Sequence, residues 1–524
     1  RDMACGRGET GRRSRLKICF SFTRVRVQVP PSAPDFVDRV AMRFVFSLLM
    51  MGLVLGSCSG ASDKQPVTMS LIGSKLQLAD PSRGPIGREA ALMLGATAQG
   101  LVAFDADGQI EPALAERWIM TDDGMSIILR IRRAKWADGR PVTSAEVAAR
   151  LRAMAAPQSR NALRPMLPGV DRIIGMTGQV VEIRLKVPQP DFLQLVAQPE
   201  MAIFRTSPAL GTGPYRIHSV RRGVTRLRLE PGIGETPTLE EEQRNDVRVR
   251  SEKASLGIAR FAAREIALVT GGSFADLALA RAARPASSQF QLDPAYGLFG
   301  LAVNADSKAL ADVNIRRALA MAIDRNRIVQ LFGVSNWKPV LSILPAQLDS
   351  TAPPAALEWV QLGQNERIAR ARNYMSAQPS LPEIRVALPA GASSRLLFAA
   401  LADDWRRIGV RARLVGPAAP ADLRLIDEVA PQSSALWYLS RVSCAYRMPC
   451  SETGEIALKA IMTAPTLAER GAAIAEADAA FAANQPYIPI ALPLRWSLVS
   501  PQLTGWRASA FAIHPLRHLR AAQR

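Results

Sequence analysis

Residues 100–150, GLVAFDADGQIEPALAERWIMTDDGMSIILRIRRAKWADGRPVTSAEVAAR, constrain the fold more than any other stretch of the chain. Asp122-Asp123-Gly124 is a hairpin turn signal, because glycine reaches the positive φ that a tight turn needs. Beyond it Met125, Ile127, Leu129 and Ile131 alternate with Ser126, Arg130 and Arg132, and only Ile128 interrupts the polar face. That period of two predicts a half-buried strand. Asp138-Gly139 supplies a second turn. After Pro141, Thr143 and Glu146 stand at the spacing of a capping box, so a helix is expected to start there. These residues specify a scaffold, and none of them carries catalytic chemistry.

Their order carries more information than any one of them. Gly100, Leu101, Asp107, Gly108, Pro112, Leu114, Ala115, Trp118, Asp123, Gly124, Trp136, Asp138, Gly139, Pro141, Thr143 and Val147 fall into one pattern. The pattern resembles that of the family 5 solute-binding proteins of ABC importers, which include dipeptide-, oligopeptide- and nickel-binding proteins. Glu146 stands where the family more usually has Asp. A second landmark, Asn304, Arg316, Ala318, Leu319, Ala322, Ile323, Asp324 and Arg325, is similar to the family's strand ending in Asn followed by Arg-x-Ala-Leu and Ala-Ile-Asp-Arg. The resemblance spans roughly residues 66–517, and its motifs weaken beyond residue 335. It implies an α/β chain of two lobes, the periplasmic-binding-protein type II fold, closing on a ligand in the cleft between them. The implied lobes are residues 66–295 with 486–524, and residues 296–485. In this reading Tyr487–Leu492 resembles the family's strand returning to the first lobe.

The formal charge is +20, with 66 basic residues of which nine are lysine. Such a balance suits an anionic partner or the arginine-favouring codons of a GC-rich genome; the second is preferred. No dense basic run with interleaved aromatics appears in the body of the chain, so nucleic acid is not an expected partner.

Residues 1–41 show no sustained hydrophobic period, and RVRVQVPPSAP resembles a translated transfer-RNA gene, so they read as an extension upstream of the true start at Met42. Residues 42–57 then read as a lipoprotein signal peptide. Arg43 precedes the apolar run FVFSLLMMGLVL, which is too short for the roughly 20 residues of a spanning helix. The run ends in LGSC, which resembles a lipobox with Cys58 as the lipidated residue, and residues 58–65 form a tether. Without residues 1–57, which hold ten basic and four acidic residues, the charge is +14.

Setting aside Cys5, Cys19 and Cys58, two cysteines remain, Cys444 and Cys450. In an oxidising compartment a disulfide between them is expected. A metal site is not expected, because His218, His514 and His518 are remote from that pair in sequence.

Three places compete for a ligand role. Gly271-Gly272-Ser273 ends a predicted strand ahead of a helix, which fits a carboxylate or anion site or plain turn chemistry; the turn is the better-supported of the two. Residues 383–427 read as a strand, helix, strand unit, and such units bind ligands beyond the carboxyl ends of their strands. Asp427, Glu428, Trp437 and Tyr438 follow the last of these strands, and are expected to face the cleft and hold a cationic or amine-bearing solute, although a solvated loop with buried aromatics fits equally. Arg495 and Trp496 are expected opposite or beside them. Many peptide binders of the family carry Asp-Pro in the stretch that here reads DEVAPQSSALWYL, so a peptide amine site does not transfer directly.

The reading is an exported, lipid-anchored, monomeric binding protein of the periplasm or cell envelope, with no cofactor. Its partners would be a small-molecule or peptide ligand and an ABC permease and ATPase, and its membrane contact the N-terminal lipid alone. An exported lipoprotein that kept the fold as a receptor or assembly factor is the alternative. A hydrolase is less favoured, since neither G-x-S-x-G nor H-E-x-x-H occurs.

Overall fold

The computed structural model describes residues 65–206, 209–231, 238–346, 348–379 and 383–520. The expected upstream extension, the signal segment and Cys58 lie outside the described residues. Among the described residues no helix is long and apolar enough to cross a membrane.

The 100–150 stretch folds as its alternation dictates. Strand Ser126–Ile131 buries Ile127, Leu129 and Ile131 on one face. It pairs antiparallel with Ala115–Met120 and Val180–Leu185, and Val170–Gly175 completes a four-stranded sheet. Ile128 faces the other way, opposite Glu182. Gly124 and Gly139 turn with φ of 66° and 85°. Helix Ser144–Ala155 starts on the expected capping box. The Glu146 carboxylate accepts from the Thr143 N–H at 3.1 Å and from the Trp136 indole at 3.3 Å. This links the buried Trp136 of the motif to the helix start at Thr143, seven residues on and past the Asp138-Gly139 turn.

Two larger sheets form the rest. The seven-stranded one runs Tyr215–Arg221, Val224–Leu229, Val247–Glu252, Val67–Ile72, Leu268–Ser273, Arg495–Val499 and Phe290–Leu292. The five-stranded one runs Ala412–Val415, Ile384–Ala387, Leu423–Val429, Gly297–Val303 and Tyr487–Ala491. In the seven-stranded sheet the central pairs are parallel and the outer ones antiparallel; in the five-stranded sheet the pairs on one side of Leu423–Val429 are parallel and those on the other antiparallel, so each is a mixed sheet. The chain passes from the first to the second between Leu292 and Gly297, and back between Ala491 and Arg495.

One strand differs from expectation. Tyr487–Ala491 pairs with Gly297–Val303, so it belongs to the second sheet and the return comes after it. Its five residues are all buried. A continuous apolar run shows a strand covered on both faces but not which sheet takes it. Pro489 is tolerated because the strand lies at the sheet edge.

The second motif is structural. Arg316 donates to the carbonyls of Leu310, Ala311 and Asn484, and Arg325 to those of Ala320, Ile323 and Pro489. Both are buried, and carbonyls replace the water they lose. Asp324 caps helix Arg325–Leu331, accepting from the Arg327 N–H at 2.9 Å.

The two large sheets share one core. Phe274, directly after strand Leu268–Ser273, has no exposed surface and packs on Phe299, Phe332 and Trp337 of the second lobe, with ring centroids 4.9, 5.0 and 5.9 Å away. Beside it the Ser393 hydroxyl accepts from the Ala278 N–H at 3.1 Å.

Candidate functional site

The junction between the two sheets gathers charge. Strand Leu268–Ser273 shifts register against Arg495–Val499 between Val269 and Gly272. The irregularity includes Gly271, whose φ of 79° suits glycine and few other residues. It turns the Gly271 carbonyl to Arg88, the first residue of helix Arg88–Thr97, whose Nη1 donates to it. Past the same strand stands Asp276, with the Ser273 hydroxyl 3.3 Å from its carboxylate. From the next strand Arg495 crosses to the second lobe, where Nη1 meets the Asp427 carboxylate at 2.6 Å and Nη2 the Asp427 carbonyl at 2.9 Å.

The protonation directions follow from crowding. The protein around Arg88 holds its pKa below the ordinary arginine range, and Arg495 adds repulsion, while Asp276, Glu89 and Asp427 act in the opposite sense. Desolvation raises Asp276, and Arg88 offsets part of that.

Two cavities adjoin the junction. One of about 420 Å³ opens between the two crossovers, with Tyr296, Trp337, Lys338 and Arg495 on its wall. The other, about 190 Å³, lies within the first lobe under helix Arg88–Thr97, lined by Leu92, Gly95, Phe104, Gly271 and Ile513 among others, with Arg88 also on its wall.

Several expected ligand residues take other positions. Asp427 and Glu428 do not follow their strand but lie inside Leu423–Val429. Successive strand residues point to opposite faces, so the two carboxylates do not form a joint cation site. Asp427 meets Arg495, and Glu428 is bound by Arg441, whose Nε lies 2.7 Å from Oε2. Trp437 and Tyr438 do not face the cleft. They lie in helix Ala435–Arg441, 7% and 1% exposed, packed edge to face in the core with residues of the four-stranded sheet. The sequence suggests a loop there, yet the run from Ala435 to Leu439 is almost wholly apolar and buries as a helix.

Trp496 is 1% exposed and covers Gly272, its indole donating to the Ser273 carbonyl at 3.0 Å. A side chain at Gly272 would enter that ring, so this glycine is required by packing. Ser273 makes no cap hydrogen bond. Of the expected set, Asp427 and Arg495 meet at the junction, and the Gly271 carbonyl is held there by Arg88. Arg88, Asp276 and Phe274 were missed. Arg88 had one usable signal: a cation in the first turn of a helix opposes the helix dipole. Cys444 and Cys450 are placed as a bonded pair with Cα atoms 5.0 Å apart. Among the described residues no group of three or more His, Cys, Asp or Glu is placed to hold a metal ion.

Comparison with known proteins fits this architecture. The chain is 22% identical over 310 residues to the periplasmic oligopeptide-binding protein OppA of Salmonella typhimurium, covering 53% of this chain and 56% of that one. It is 23% identical over 354 residues to the periplasmic murein peptide-binding protein MppA of Escherichia coli, covering 60% and 64%. The matches thus span less than two thirds of these curated relatives. Among solved structures, Haemophilus influenzae OppA in complex with RPPGFSPFR superposes with a TM-score of 0.73 at 17% identity, covering 86% of this chain and 98% of that one. Campylobacter jejuni NikZ in complex with Ni(L-His) gives 0.68 at 17% identity, covering 84% and 95%. The fold is the two-lobe type II periplasmic-binding-protein fold. The model for bacterial extracellular solute-binding proteins, family 5 Middle, matches residues 109–432, more than half of the chain, and the protein therefore belongs to the family 5 bacterial extracellular solute-binding proteins.

Proposed function

We propose that the protein is the solute-binding component of an ABC importer, capturing a small peptide-like or other polar solute by hinge closure and presenting it to a membrane permease. The observation that carries this reading is the Arg495–Asp427 contact, made across the junction of two sheets that only two short crossovers join. The contact lies beside those crossovers, where the lobes would hinge, and a ligand seated between the lobes favours the closed form by its own added contacts. The relatives named above are binding proteins for oligopeptides and murein peptides, which supports a peptide-like solute. The chain acts by binding rather than catalysis, as a monomer in the periplasm, held to the membrane by a lipid on Cys58.

Native mass spectrometry of protein purified without refolding tests the reading. A co-purifying solute is expected, and its addition to stripped protein should shrink the radius of gyration in small-angle scattering. A chain that carries no solute and stays the same size with peptides and peptide-enriched extracts speaks against it. For the anchor, Cys58→Ser should lose acyl mass and membrane fractionation.

A further inference from the structure

The cavity under helix Arg88–Thr97 has features that the interlobe contact does not use. Its named lining comes from residues 71–104, 197–202, 270–271 and 512–516, so the first lobe builds it alone. Its volume of about 190 Å³ slightly exceeds the ~150 Å³ apolar cavity that holds benzene. Leu71, Leu92, Phe104 and Ile513 give it an apolar wall. The other polar groups there are engaged: Gln99 Nε2 donates to the Thr212 carbonyl at 2.6 Å, and His514 Nε2 lies 3.2 Å from Asp293.

Arg88 differs. The residue as a whole is exposed although protein crowds its guanidinium, and it donates to one carbonyl, that of Gly271. Asp276, Glu89 and Asp427 lie near enough to favour its charge, yet none forms an ion pair with it among the described residues. A planar fork of donors with unused N–H groups, set at the edge of an apolar hollow, matches a carboxylate carrying an apolar group.

We propose that this first-lobe cavity takes the apolar group of a carboxylate-bearing solute, of about the size of a phenyl ring, while Arg88 pairs with the carboxylate. This rests on the solute-binding reading and adds the ligand's chemical class. Gly95 supplies the test. It lines the cavity, and a Cβ built on it meets nothing within 4 Å. A leucine there fills the hollow and is also the better helix former.

The probes are 3-phenylpropanoate, propanoate and 3-phenylpropanamide, measured by isothermal titration against the intact exported chain. The ring-bearing acid should bind at least tenfold tighter than propanoate, and at least tenfold tighter than its amide. Gly95→Leu should remove the first difference without lowering the melting temperature, and Arg88→Gln should remove the second. No binding of the ring-bearing acid at millimolar concentration overturns the proposal, as does binding that both variants leave unchanged. Either result would leave the solute-binding reading intact if a co-purifying solute is found, since that observation does not depend on this cavity.

Discussion

Arg495, in the seven-stranded sheet, holds Asp427 of the five-stranded sheet at two points, its carboxylate and its main-chain carbonyl. Both side chains are 17% exposed, so the pair is shielded from solvent without being fully desolvated. That setting places its worth above that of a surface pair. The double hold also fixes the backbone of strand Leu423–Val429, which a carboxylate contact alone would not.

A double-mutant cycle with Asp427→Asn and Arg495→Gln should therefore give a coupling energy of about 1–3 kcal/mol in denaturant unfolding. Asp427→Asn keeps the carbonyl contact and is expected to cost less than Arg495→Gln, which leaves the carboxylate facing the junction without its cation. Coupling indistinguishable from zero would mean that the lobes meet here without depending on the pair.

Phe274 joins the same two bodies by packing. Removing a fully buried aromatic ring costs both its transfer energy and the cavity left behind, so Phe274→Ala should destabilise the protein by about 3–5 kcal/mol. Ile119→Ser, at a position 66% exposed, should stay within about 0.5 kcal/mol of the parent. Similar losses in both would disprove the packing argument.

Local structure was legible in the sequence wherever a residue's neighbours in the chain decide its conformation. The alternation at 125–131, the turns at Gly124 and Gly139, and the caps at Thr143 and Asp324 all depend on spacing and φ preference. Sheet membership was less legible, because Tyr487–Ala491 is apolar on both faces and its partner lies nearly 190 residues earlier in the chain. The site was the least legible part. Asp427 and Glu428 are adjacent in sequence, yet the strand pleat sends them to different arginines. Trp437 and Tyr438 have the chemistry of a ligand contact, but the apolar residues beside them draw the whole segment into the core. Arg88 becomes a site residue only through the bulge that aims the Gly271 carbonyl at it, a relationship 183 residues apart in the chain.

Asp478 sets a pH dependence. Burial raises its pKa from 3.8 to about 6, while the Ala355 N–H, 2.7 Å from Oδ2, acts in the opposite direction. Its other oxygen is buried with no partner among the described residues. A carboxyl group whose folded pKa lies above its unfolded value binds protons more readily when folded, so this residue costs stability as pH rises from about 4 to about 6. Asp478→Asn keeps an acceptor for Ala355 and removes the charge. The variant should be about 1–2 kcal/mol more stable than the parent at pH 7.5, with no gain at pH 4. Asp191 is also raised to about 6, first by burial and then by Asp349, and contributes in the same direction to both proteins. The difference curve therefore isolates Asp478; a gain independent of pH would show that its charge is not the cause.

Cys444 and Cys450 close a small loop at the edge of the second lobe. Within it Arg447 sits at φ 59°, a conformation that a non-glycine residue adopts at a cost, and its carbonyl accepts from the Ala305 N–H at 3.0 Å. Met448, the next residue of the loop, is buried at 2% exposure. Opening the bond frees six residues of separation to sample other conformations in the unfolded chain, which the loop-closure relation values at about 2 kcal/mol. The Cys444→Ser, Cys450→Ser double variant should lose about that much stability, and reductant should lower the melting temperature of the parent but not of the variant. Thiol labelling of exported protein under denaturing, non-reducing conditions gives the direct count. Two labelled thiols at positions 444 and 450 would show that the bond does not form, and the variant should then match the parent in stability.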